Sequence, residues 1–156
     1  MYWDISFIYK KSDNNSKEII SFLSKEYSLN IGENENTFWG KRKIVVFRTE
    51  LFDEIETDFD EICVSISNQV FHKDTFDNEL MIFTNFINHC FEYNQDIQYV
   101  VCSYELNGYL LSKFKRLNDF ENIKLINFFP VMYKRDNSNK ILTLFLNFKA
   151  QDMFTS

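Results

Sequence analysis

The apolar residues change period between residues 2 and 27, and that change constrains the fold of this chain more than any other feature. In YWDISFIY, Trp3, Ile5, Phe7 and Tyr9 fall on one face and Tyr2, Asp4 and Ser6 on the other, the period of a half-buried strand. DNNS breaks the alternation, and Asn15 with Glu18 three residues on makes a capping-box arrangement. Ile19, Ile20, Phe22, Leu23 and Tyr27 then follow helical spacing to about residue 27.

The same two periods recur downstream. Leu29 to Gly40, rich in Asn and Glu, reads as a loop. KIVVFRTEL, residues 43–51, has the β-branched and aromatic content of a second strand. EICVSISN, residues 61–68, sets Ile62, Val64 and Ile66 inward against Cys63, Ser65 and Ser67. Asp74 or Thr75 caps a long helix with Phe76, Leu80, Phe83, Ile87, Cys90 and Phe91 as its apolar stripe. IQYVVCSYEL, residues 97–106, is a further strand.

The order βαββαβ predicts an α+β fold in which two helices cover one face of an antiparallel sheet, the split arrangement called ferredoxin-like. Beyond it, Asn107-Gly108 is a hairpin signal, whereas Tyr109 to Leu117 carries helical spacing; both readings stay open. INFFPVMYK and KILTLFLNF, separated by RDNSN, read as a C-terminal β-hairpin that extends the sheet, with Pro130 preferring an edge. The 156 residues fit one domain, 1–156, without repeat or linker.

Composition removes several function classes. A net charge of −6 lacks the basic footprint of a general nucleic-acid binder and suits a basic partner instead. With three glycines, Gly32, Gly40 and Gly108, the chain builds neither G-x-G-x-x-G nor a P-loop, so phosphate cradles are not expected. Cys63, Cys90 and Cys102 are an odd set without repeated spacing, which favours buried thiols in a reducing compartment. The start, MYWDISFIYKK, has Asp4 within its apolar run and does not read as a signal peptide. No apolar run reaches the roughly 20 residues of a membrane helix. A cytoplasmic protein without membrane association is expected.

One stretch stands apart. ELFDEIETDFDEI, residues 50–62, carries Glu50, Asp53, Glu54, Glu56, Asp58, Asp60 and Glu61, and no Lys or Arg follows until Lys73. As a calcium loop starting at Glu56 it fails at the sixth position, Glu61 where Gly is needed, and at the twelfth, Ser67 where Glu is needed. As a nuclease site it lacks a neighbouring lysine, and Glu121 with Lys124 does not supply one. Zinc finds no ligand set, because His89 and Cys90 point about 100° apart on a helix. A zinc pair of Cys63 and Cys102 competes with ordinary burial of small thiols. His72 and His89, the two histidines, sit in no nucleophile signature. Neither catalytic residues nor a metal or cofactor is expected.

The apolar residues between the carboxylates, Leu51, Phe52, Ile55, Phe59 and Ile62, have the spacing of a short helix docked on the core with its charges outward. Those seven carboxylates are the candidate partner-binding residues, with a solubilising acidic loop as the plainer alternative. A small, acidic α+β chain rich in aromatic residues and in Asn, Lys, Ile and Phe resembles the bacterial immunity proteins of contact-dependent and polymorphic toxin systems. The resemblance implies stoichiometric inhibition of a cognate, nuclease-like toxin domain and carries no site residue with it. A phage protein that blocks a host defence factor, an enzyme with an unrecognised site and an assembly subunit using Leu142, Leu144, Leu146 and Phe148 are the alternatives.

Overall fold

The computed structural model describes residues 2–33, 36–39, 42–67, 76–104, 106, 108–122 and 131–145. Strand β1 (Tyr2–Lys10) leads into helix α1 (Asp13–Tyr27), followed by the short strands β2 (Gly32–Glu33) and β3 (Asn36–Trp39) and the long strands β4 (Arg42–Phe52) and β5 (Phe59–Ser67). Helix α2 (Phe76–Tyr93), strand β6 (Ile97–Tyr104), helix α3 (Tyr109–Lys113), a 3-10 segment at Leu117–Asn122 and the hairpin β7 (Val131–Arg135) and β8 (Ile141–Phe145) follow among the described residues.

The protein is thus α+β, with a wholly antiparallel sheet in the order β2-β4-β5-β1-β6-β7-β8; β3 also pairs with β4. β1 lies at the centre because its apolar residues have partners on both flanks: Ile5 stands opposite Val64 of β5 and opposite Cys102 of β6. The C-terminal hairpin lengthens the sheet through β7, and its turn is closed by Asp136, whose carboxylate accepts from the Ser138 and Lys140 N–H groups. Pro130 lies outside the described residues.

Helix α1 starts three residues earlier than its capping-box pattern, Asn15 with Glu18, implies. Ser12 is the N-cap and accepts from Asn15 N–H at 3.0 Å. Asn15 is instead buried, donating to Lys10 O and to Asp96 Oδ2, so a tertiary contact overrides its local capping tendency. The helix ends where Ser28 adopts the left-handed region. The cap expected at Asp74 or Thr75 falls outside the described residues. The segment read as a loop from Leu29 onward contains β2 and β3, which form only because β4 offers its outer edge.

On one face of the sheet, Trp3, Ile5, Phe7 and Tyr9 of β1 join Ile62, Val64 and Ile66 of β5 under Ile19, Phe22 and Leu23 of α1 and Phe83, Phe86, Ile87, Cys90 and Phe91 of α2. The opposite face corrects the half-buried reading of β1 and β5. Asp4, Ser6, Glu61, Cys63 and Ser65 are buried as well, and every residue of β5 is buried. The cause is a second layer: Leu106, Leu110, Leu111 and Phe120 pack with Ile8, Phe59, Tyr99, Val101 and Met132. Of the stretch from Tyr109 to Leu117, Tyr109–Lys113 forms an α-helix that buries Leu110 and Leu111 on this face, and the chain is extended at Phe114.

Candidate functional site

The run of seven carboxylates is divided by the strand ends. Glu50 lies in β4 and is ion-paired with Arg48. Asp53, Glu54, Glu56 and Asp58 are exposed in the β4–β5 connection, whereas Asp60 and Glu61 are buried in β5. The connection is a turn rather than a docked helix. Ile55, expected against the core, is 99% exposed, since Phe52 and Phe59 already occupy the space beneath.

That turn is tightly held. The Thr57 hydroxyl lies 3.0 Å from Glu54 O and 2.8 Å from Phe59 O, sharing its proton between them, and Thr57 is itself buried. Arg116 donates to Glu56 O at 2.8 Å, Asp58 N–H donates to Lys115 O, and Leu117 N–H donates to the Asp58 carboxylate at 2.7 Å. Lys11 pairs with Asp60 at 2.7 Å. The basic residues Lys115 and Arg116, separated from the loop by about sixty positions in the chain, are therefore its immediate neighbours; their signal in the sequence was only their charge.

Behind the turn lies a polar group of different character. On the second face Asp4 stands opposite Ser65, Ser6 opposite Cys63 and Ile8 opposite Glu61. Both Glu61 oxygens and the Ser6 hydroxyl make no hydrogen bond of acceptable geometry among the described residues. Burial pushes Glu61 up to about 7, the nearby Ser6 hydroxyl opposes the rise and the Asp4 charge adds to it. Burial also raises the Cys63 thiol well above its ordinary range, with Asp4 and Glu61 contributing, so it is not an activated nucleophile.

The remaining candidates separate in space. Cys63 faces the second layer and Cys102 the helix layer, with β1 between their strands; all three cysteines are free and buried. His89 is exposed and bonded to the Tyr27 hydroxyl at 2.5 Å, while Cys90 points into the core. His72 lies outside the described residues. Among the described residues no group of three or more His, Cys, Asp or Glu side chains converges as metal ligands. An open groove of roughly 360 Å³ is lined by Lys10, Asp96, Gln98, Tyr99, Leu117 and Asn118, and His89 does not reach it. Among the described residues no helix is long and apolar enough to cross a membrane. Comparison with known proteins finds no matching family model, no matching curated protein and no matching solved structure.

Proposed function

We propose that this is a non-enzymatic, cytoplasmic binding protein that neutralises a basic partner, in the manner of a bacterial immunity protein covering a toxin domain. The observation that carries the reading is Ile55: a fully projecting β-branched side chain on a turn fastened by Thr57 and Arg116, with exposed Asp53, Glu54 and Glu56 around it. An apolar anchor inside a charged rim suits a contact in which the rim steers association and the anchor slows release. Glu50 and Asp58 lie at its margin; Asp60 and Glu61 act beneath it as support. The ferredoxin-like plan is part of the same proposal. It is supported by the positions of the four long strands around the two helices, β6-β1-β5-β4, with β7 and β8 added outside β6.

The test is capture and kinetics. Wild-type protein immobilised in an extract of its native host should retain a basic protein that is released as salt rises. Replacing Asp53, Glu54 and Glu56 together by Lys should slow association with that partner about tenfold or more. Ile55→Ala should instead speed dissociation. Unchanged kinetics in both variants would remove this surface from consideration.

A further inference from the structure

Glu61 sits under a roof with two attachment points. On one side Leu106 N–H donates to Asp4 Oδ2 at 2.7 Å. On the other, Gly108 lies so close to the Phe52 ring that an added Cβ would stand 3.2 Å from it, and Phe52 is the β4 residue directly opposite Glu61. Just beyond them in the chain, Leu110 and Leu111 of α3 enter the layer that holds Ile8 and Phe59. Glu61 is fully buried, paired with Ile8 of β1 and Phe52 of β4, with the Ser6 hydroxyl nearby.

Among the described residues, the charged and titratable groups that share this face are Asp4 on β1, Arg48 and Glu50 on β4, Cys63 on β5, Tyr99 on β6, Lys134 on β7, Tyr109 and Lys113 on α3, and Glu121 of the 3-10 segment, which accepts from Tyr99. Among the described residues each cation of this face is engaged elsewhere. Arg48 pairs with Glu50, Lys134 with Glu121, and Lys113 lies over the Tyr109 ring. A carboxylate at Glu61 would face desolvation and the charge of Asp4 with no cation among the described residues to offset them, whereas the neutral acid is tolerated there.

We propose that Glu61 is a proton-controlled latch for the roof formed by Leu106 and Gly108–Leu111. With Glu61 protonated the roof is closed. As the roof lifts, water reaches the carboxyl, its proton passes to bulk solvent, and the ionised group holds the roof open. The elevated affinity of Glu61 for its proton agrees with this arrangement and places the transition below and up to neutral pH. The latch operates in the free protein and does not depend on the identity of any partner.

Cys63 reports on it, because it is the cysteine on this face, while Cys90 and Cys102 lie in the helix-side core and serve as internal controls. The full chain is labelled with N-ethylmaleimide between about pH 5 and pH 8, and the sites are quantified by peptide mass spectrometry. The ratio of Cys63 to Cys90 labelling cancels the common pH dependence of thiol reactivity. It should rise about tenfold or more towards neutral pH and then level off, and it should stay flat in Glu61→Gln. A flat ratio in the wild type, or an equal rise in Glu61→Gln, overturns the latch. Should the variant fail to fold, carboxyl ¹³C shifts of the wild type decide: a Glu61 midpoint near neutrality supports the latch, and one in the ordinary glutamate range removes it.

Discussion

Arg135 of β7 donates its Nη2 to the main-chain carbonyl of Phe91 at 2.7 Å and thereby closes the C-terminal end of α2 from a strand forty-four residues away. The same guanidinium donates to Asn94 O at 3.2 Å and to Ile97 O at 3.0 Å, and it stacks over the Phe91 ring. Helix ends leave carbonyls without intrahelical partners, and a cation there also suits the helix dipole. α2 has no basic residue of its own in its last turn, so the hairpin supplies one.

Arg135→Met should therefore destabilise the protein by about 2 kcal/mol, because several carbonyls lose their donor at once. Urea unfolding should show a lower midpoint at unchanged slope. Arg135→Lys should recover less than half of the loss, since an ammonium cannot span three divergent carbonyls.

Gly108 adopts φ +81 and packs on Phe52. Gly108→Ala adds left-handed strain and pushes on the ring, with an expected cost of about 1–2 kcal/mol. Thermal unfolding should show it, and the substitution should also raise Cys63 labelling at every pH, since it loosens the roof.

Stability should fall as pH rises from about 4.5 to 7. Glu61 binds its proton more tightly folded than unfolded, so the folded state holds more protons in that window and each pH unit favours unfolding. Below the unfolded value both states are protonated and the full stability is present; above about 7 the loss is complete, at most about 3 kcal/mol. Subtracting the Glu61→Gln curve from the wild-type curve, both from urea titrations, should isolate this slope. No slope in the difference would contradict the burial of an unpartnered carboxyl.

Thr57→Val keeps the shape of a buried side chain and removes the proton shared by Glu54 O and Phe59 O. The expected cost is about 1 kcal/mol. Amide relaxation should show the Asp53–Asp58 turn gaining motion while β4 and β5 keep theirs, and partner dissociation should accelerate.

Much of this architecture was readable from local pattern. The period of two in residues 2–9, the helical stripe through Ile19, Phe22 and Leu23, and that through Phe83, Ile87, Cys90 and Phe91 each place apolar groups on one face irrespective of the remainder of the chain. The RDNSN turn was likewise local, since Asp136 and Asn139 carry its geometry themselves. The acidic stretch was visible as a strand connection, but its outward and inward carboxylates look alike in sequence.

Tertiary structure decided the rest, because it turned on which distant segments meet. Asp4, Ser6, Cys63 and Ser65 have the polarity of a solvated face, and they are buried only because Leu106, Leu110, Leu111 and Phe120 return over β1 and β5. Asn15 lost its capping role to Lys10 and Asp96 for the same reason. Ile55 projects because Phe52 and Phe59 fill the layer below it first. Side-chain periodicity records which residues share a face of their own element; whether that face meets water or another layer depends on chain contacts that no local window contains.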